Sequence, residues 1–169
     1  MPSKPIKIDT HDWADVPIEQ AFDAIIPVEL SKVFTGYGPI PAVTHTSAQT
    51  GDWDAADQTR TLHLADGSST HEVIDNFDRP SHFQYTVGPF SGPFGQLIHR
   101  AEGEFYFTPM AQGTSVRWTY VWYAKQQWMW PLLWGFTRLW KAYSRKGLYA
   151  CVKHAEAAAQ APTAEQATA

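Results

Sequence analysis

The feature that most constrains this chain is a change of period near residue 127. Upstream, short runs alternate apolar and polar residues and are separated by Gly and Pro. Downstream, Leu133, Phe136, Trp140, Tyr143, Gly147, Cys151 and His154 recur at steps of three and four. A step of two places side chains alternately on opposite faces of a strand, whereas steps of three and four collect them on one helical face. The chain therefore reads as a series of strands followed by one long helix. The helix is the only element large enough to cover the apolar face of the sheet those strands make.

The strand-like runs are 18–26, 42–48, 58–64, 70–77, 82–87, 99–108 and 114–123. The first alternates imperfectly. The last is the clearest, with Val116, Trp118, Tyr120 and Trp122 on one face and Ser115, Arg117 and Thr119 on the other. Asp66-Gly67 is a hairpin signal, because a left-handed backbone costs Gly little and is tolerated by Asp. Arg79-Pro80 and Gln112-Gly113 mark two further turns, and the Gly/Pro-rich stretches 36–41 and 88–95 read as loops. Pro27 opens a short helix over 28–34, and Pro131 suits the first turn of the long helix, which runs to about residue 159. The expected class is α+β: a curved seven-stranded antiparallel sheet wrapped around a long C-terminal helix, with an apolar pocket between them. Residues 1–17 read as an extended polar arm, 18–159 as one ligand-binding domain and 160–169 as a flexible tail.

Composition narrows the functions. Aromatic residues make up 14% of the 169, more planar surface than a minimal core needs, which points to an aromatic core or a ring-lined cavity. A net charge of −4 argues against a nucleic-acid partner, which requires a concentrated basic face. The one dense basic stretch, 138–153, reads as the solvated side of the helix. The single cysteine, Cys151, rules out an internal disulfide framework and sits in an apolar helical run, as an inert buried thiol would. Residues 1–17 contain no apolar signal-peptide core, and the greasy stretch 128–133 is far shorter than the ~20 residues that span a bilayer. The expected location is cytoplasmic.

Several groups are candidates for chemistry. With the hairpin centred on Gly67, Arg60 faces Ile74 and Leu62 faces Glu72, so the two charges are diagonal neighbours on an inward face shared with Leu64. Such a pair either orients a ligand carbonyl or carboxylate or is a structural ion pair. Trp118, Tyr120 and Trp122, beside Phe105 and Phe107, suit the wall of a hydrophobic pocket in which the Tyr120 hydroxyl fixes orientation. Tyr85, Phe136 and Trp140 complete the expected ligand-binding set with Arg60, Leu62, Glu72 and Ile74. Glu72 and His99 are the candidates for acid–base catalysis; Glu72 has Arg60 beside it, an arginine that is no ordinary acid or base, and His99 has no oriented partner. His63 and His71 fall opposite each other on the outer face in this register, and no zinc spacing occurs, so no metal and no cofactor is expected. Neither a Ser-His-Asp arrangement nor a Gly-x-Ser-x-Gly motif is present. The stretch 88–95 suits a gate, but lacks the Lys-Ser/Thr of a phosphate loop. The Trp-rich helix start would permit a transient membrane-surface contact, a ligand entrance or a homodimer contact, so monomer and homodimer both remain open.

A set of short motifs carries a family resemblance. They are Pro27-Val28-Glu29-Leu30-Ser31-Lys32-Val33-Phe34, the loop that begins Gly36-Tyr37-Gly38-Pro39, Gly51-Asp52-Trp53, and Gln58-Thr59-Arg60-Thr61-Leu62. Further matches are Asp66-Gly67-Ser68-Ser69 with Glu72, Asp78-Arg79-Pro80 before Phe83-Gln84-Tyr85, and Gly113-Thr114 with Trp118-Thr119-Tyr120. Over roughly 18–155 the chain resembles the START-like (SRPBCC) superfamily in its polyketide cyclase/dehydrase and lipid-transport branch. The resemblance implies a helix-grip fold and a cavity for a lipid, polyketide or aromatic molecule. It contains no catalytic signature, and fold does not fix function. The leading expectation is a non-catalytic binder of a hydrophobic or aromatic small molecule. The alternatives are a cyclase/dehydratase-type enzyme using Arg60, Glu72, His99 and Tyr120, and a protein-interaction module acting through the Trp-rich helix start.

Overall fold

The computed structural model describes residues 4–161. Seven antiparallel strands form one sheet in the order β1-β7-β6-β5-β4-β3-β2, with β1 Ile6–Ala14, β2 Val43–Ser47, β3 Thr59–Leu64 and β4 Ser69–Asp78. The other three are β5 His82–Phe90, β6 Ile98–Pro109 and β7 Thr114–Ala124. The helices are α1 Ile18–Ile25, α2 Leu30–Val33, α3 Phe94–Leu97 and the 31-residue α4 Trp130–Gln160. This is the helix-grip arrangement: α4 lies across the apolar face of the sheet.

The strands form where alternation is strict. In β7 the burial of Val116, Trp118, Tyr120 and Trp122 follows the expected inward face. Thr119 is also buried, on the outer face, where its hydroxyl donates to Asp9 of β1 at 2.6 Å. In α4 the buried face includes Leu133, Trp140, Tyr143, Leu148 and Cys151, spaced for one helical stripe. Two hydroxyls on that face satisfy themselves locally, Thr137 donating to the Trp134 carbonyl and Ser144 to that of Lys141. Arg138, Lys141, Arg145, Lys146 and Lys153 are exposed, so the basic stretch is the solvated side. His154, assigned to the apolar face by its spacing, is exposed as well.

Three local readings change. The stretch 18–26 is helical, because Ile18, Ala21, Phe22 and Ile25 repeat at three and four; that period outweighs the imperfect alternation. The missing strand comes from the N-terminal arm: residues 6–14 are extended, but they pair with β7 along their whole length, from Ile6 against Trp122 to Ala14 against Thr114. The stretch 88–95 is split, since β5 continues to Phe90 and α3 begins at Phe94. Most of the expected tail, 162–169, lies outside the described residues, and Gln160 is still in α4.

The β3–β4 hairpin is offset from its expected register. Arg60 pairs directly with Glu72 and Leu62 with Thr70, which centres the loop on Asp66. The physical reason is a three-residue loop. The Leu64 amide donates to the Ser68 carbonyl, and the Asp66 carboxylate accepts from the Ser68 amide at 2.9 Å. Gly67 takes φ +83°, the left-handed position that closes such loops. His71 now faces Thr61 and His63 faces Ser69, so the two histidines are not opposite each other. His63 instead stacks on His45 of β2 at 4.2 Å.

Helix α1 closes one end of the grip. Phe22 is buried there with its ring 5.3 Å from Phe77 and 5.1 Å from Phe107. Those contacts fill the space under the far ends of β4 and β6 and leave the opening between sheet and α4 at the other end.

Candidate functional site

A cavity of about 110 Å³ lies between the sheet and α4. One water needs about 10–15 Å³, so the space admits an organic ligand. The sheet supplies Leu62, Leu64, Glu72, Tyr85, Trp118 and Tyr120, with Trp122 beside them; α4 supplies Phe136, Trp140 and Tyr143. Leu30, Phe34 and Ile40 close it from the segment around α2, and Phe90 and Phe94 from the β5–α3 connection. A mostly apolar wall with a few converging polar tips is the usual make-up of a small-molecule site.

The β3–β4 end holds the charges. Arg60 Nε donates to Glu72 Oε2 at 2.6 Å, with the two residues 7% and 5% exposed. The guanidinium lies 3.9 Å from the centroid of the Trp53 ring, so a cation–π contact covers its other side. Trp53 takes φ +63°, an uncommon conformation for a large side chain, in order to reach that position. Only Glu72 of this trio lines the cavity.

The middle of the cavity carries two phenols. Trp118 Nε1 donates to the Tyr85 hydroxyl at 3.0 Å. Burial pushes the Tyr85 hydroxyl well above its ordinary pKa, with further contributions from Tyr120 and the Glu72 charge. Burial likewise raises Tyr120, and Glu72 adds to the effect. Both phenols are therefore protonated near neutral pH, as hydrogen-bond donors. Gly103 of β6 makes room for Tyr85: a Cβ built there would lie 2.1 Å from Tyr85 Cζ. A side chain at 103 would displace the ring and its hydroxyl.

The β7–α4 wall is built of rings in mutual contact. Trp140 lies 4.8 Å from Tyr120 and 4.9 Å from Trp122, and Phe136 lies 5.1 Å from Trp122. The Nε1–H groups of Trp122 and Trp140 are buried and have no acceptor among the described residues, as is also true of Trp53, which does not line the cavity. A buried donor left unpaired is costly, about 1–3 kcal/mol.

Eight of the expected ligand-binding residues line the cavity: Leu62, Glu72, Tyr85, Trp118, Tyr120, Trp122, Phe136 and Trp140. Four do not. Arg60 is held behind Glu72 under Trp53. Ile74 is fully buried in the core. Phe107 packs on Phe22 of α1, and Phe105 stacks on Trp118 at 5.1 Å. His99 is exposed at an irregularity of β6 next to inward-facing Ile98, so it is placed away from the cavity. The sequence reading did not single out Gly103, although a lone glycine inside a strand signals close approach by a neighbour. It also left out Phe34, Phe94 and Tyr143 as lining residues. Tyr143 was legible on the helical stripe, whereas Phe34 follows the one-turn α2 and Phe94 opens the one-turn α3, which have no period to read. Among the described residues no group of three or more His, Cys, Asp or Glu is placed to hold a metal ion. No helix among them is long and apolar enough to cross a membrane.

Comparison with known proteins agrees with this architecture. The model of the family described as polyketide cyclase/dehydrase and lipid transport matches residues 7–156. The Zhui aromatase/cyclase from Streptomyces sp. R1128 superposes with a TM-score of 0.69 at 14% identity, over 94% of this chain and 98% of that one. The di-domain aromatase/cyclase BexL of the BE-7585A biosynthetic pathway gives 0.64 at 16% identity, over 94% of this chain and 51% of that one. Ara h 8.0201 gives 0.64 at 13% identity, over 91% and 99%. No curated protein matches the sequence.

Proposed function

This chain belongs to the polyketide cyclase/dehydrase and lipid transport family, and from that premise we propose that it binds a small, largely apolar ring compound bearing acceptor oxygens. The observation that carries the reading is the pair of unpartnered indole donors, Trp122 and Trp140, in the wall of an aromatic-lined cavity. A carbonyl or ether oxygen would remove the cost of leaving them unpaired, and the surrounding rings would stack on a planar body. Tyr85 and Tyr120 add hydroxyl donors at mid-cavity. Binding without turnover fits this inventory. The cavity offers donors, its one carboxylate is tied to Arg60 at 2.6 Å, and an arginine is no ordinary acid or base.

Native mass spectrometry of the protein purified gently from its own host tests the proposal. A discrete added mass, lost on denaturation and carrying oxygen on a ring skeleton, is the expected result. A charged, highly polar adduct such as a nucleotide would overturn it.

A cyclase/dehydratase reading rests on Glu72 lying within the electrostatic reach of two cavity phenols. The phenols would polarise a ligand carbonyl while the carboxylate took a proton from the adjacent carbon. Glu72→Gln separates the two readings: a binder changes affinity modestly and keeps its ligand intact, whereas an enzyme retains binding and loses product formation.

A further inference from the structure

The indole donors of Trp122 and Trp140 would serve any acceptor oxygen, and by themselves they do not tell a ketone from a carboxylate. The charge in the cavity wall does. Glu72 lines the cavity, and no Lys, Arg or His among the described residues does. Its ion-pair partner sits behind the wall: Arg60 Nε meets Glu72 Oε2 at 2.6 Å, and the guanidinium lies 3.9 Å from the centroid of the Trp53 ring. The cavity therefore faces the negative end of this buried pair. Tyr85, Trp118, Tyr120 and Trp140 line the same space, and aromatic faces attract a cation and repel an anion. Burial raises both cavity phenols most, and the Glu72 charge raises each further, so its field reaches mid-cavity. A field that disfavours a phenolate there disfavours a ligand anion in the same place.

We infer that Glu72 is a charge filter: the cavity takes neutral and cationic ring compounds and refuses those that carry a carboxylate. The inference rests on the binding reading above and narrows its acceptor oxygens to uncharged ones, those of ketones, ethers and hydroxyls. At an effective dielectric of about 20, two like charges about 8 Å apart already cost more than about tenfold in affinity. A free acid meets that repulsion in addition to the loss of its hydration, whatever apolar area it buries. An ammonium loses hydration too, but finds a carboxylate and ring faces in return. The β3–β4 pair thus decides what is refused, and the β7–α4 donors decide what is held.

Calorimetric titration of the intact chain at neutral pH, with three probes on one skeleton, tests the filter. The probes are 1-indanone, which is neutral, 1-aminoindane, a cation, and indane-1-carboxylate, an anion. Both ions must leave water, so the ratio of their affinities reads the sign of the field. The amine should bind at least about tenfold tighter than the carboxylate. In R60M/E72L, which carries neither charge, the gap should shrink to within about threefold. The series on the unaltered protein needs no variant, so it decides the matter even where the double variant does not fold. A carboxylate that binds as tightly as the amine would overturn the inference, and binding of 1-indanone in the same series would leave the reading beneath it intact. A gap that persists in R60M/E72L would overturn it as well, since the filter would then lie elsewhere. Failure of all three probes to bind would remove both.

Discussion

The two ends of the cavity differ in the kind of polarity they bury, a pair of charges at one and neutral donors at the other. At the β3–β4 end, the protein pairs its charges: Arg60 meets Glu72 on one side and the Trp53 ring on the other, while the Trp53 N–H, behind the cavity wall, has no acceptor among the described residues. At the β7–α4 wall, Trp122 and Trp140 are equally hidden, yet their N–H groups meet no acceptor among the described residues. Folding alone accounts for the first arrangement, because an unpaired buried charge costs too much to leave. It does not account for the second, where phenylalanine would fill similar space without an unpaired donor. The comparison separates the frame of the site, at β3–β4, from its recognition surface, at β7–α4.

The largest expected effect breaks the first arrangement. Arg60→Met should destabilise the protein by about 3–5 kcal/mol, since it strands the Glu72 carboxylate between apolar walls. The double change R60M/E72L should recover most of that loss, because the cost lies in the orphaned charge more than in the lost attraction. Urea unfolding of both variants measures the difference. A loss below about 1 kcal/mol in R60M would mean that water or Trp53 compensates Glu72, and the contrast between the two ends would fail.

A second effect, of similar kind, works on Tyr85. Gly103→Ala places a methyl where the Tyr85 ring lies. The ring must shift, which overpacking data put at about 1–3 kcal/mol. Its hydroxyl also leaves Trp118 Nε1. Thermal denaturation gives the stability, and ligand titration should show weakened binding; unchanged values in both would show that Tyr85 has room to move.

Much of this contrast was legible in the residues, and the failures have specific causes. The β7 face Trp118, Tyr120 and Trp122 and the helical positions Phe136 and Trp140 follow strict periods, so the aromatic wall could be read directly. Arg60 and Glu72 were assigned to one face, because a register offset of two preserves facing even though it changes partners. What decides their direct pairing is the Asp66 side chain holding the Ser68 amide, an interaction no alternation pattern encodes. Phe105 and Phe107 face the correct side of the sheet but not the cavity, because Phe22 of α1 packs on Phe107 and Phe105 stacks against Trp118. The error at 18–26 thus spread from a local element to one site residue, Phe107. Unpaired N–H groups are invisible in a sequence, where every Trp looks alike.

Alkaline pH sharpens the comparison more gently. Burial pushes the Cys151 thiol up from 9.0 to about 12, and it raises Tyr85 and Tyr120 as well. These folded-state values lie above the unfolded ones. The native state therefore holds protons that the unfolded chain releases, and stability is full below the unfolded pKa and falls as pH rises toward the folded one. The fall should begin near pH 9 with Cys151 and steepen above 10 with the tyrosines, each group contributing at most about 1.4 kcal/mol per pH unit. Cys151→Ala should flatten the curve between pH 9 and 10 and leave the steeper part intact. Urea midpoints across that range provide the check, and an unchanged slope in C151A would place the early titration elsewhere.

The smallest effect is the most discriminating, because it concerns the wall the protein leaves unsatisfied. Trp140→Phe and Trp122→Phe each remove one unpaired N–H while keeping a ring in place, so apo stability should change by less than about 1.5 kcal/mol. Recognition should change with the ligand's chemistry. A hydrogen bond is worth about 0.5–1.5 kcal/mol, so the affinity for 1-indanone should fall about threefold to tenfold in at least one variant. Indane, the same skeleton without the carbonyl, should lose only the packing contribution and so be weakened less than 1-indanone. Parallel calorimetric titrations of the two probes isolate the acceptor, since packing losses affect both equally. If the variants weaken 1-indanone and indane alike, the indoles act as bulk surface and β7–α4 is a wall of the same kind as the core beneath α1. If only the ketone suffers, the unpaired donors are what this fold keeps open for its ligand.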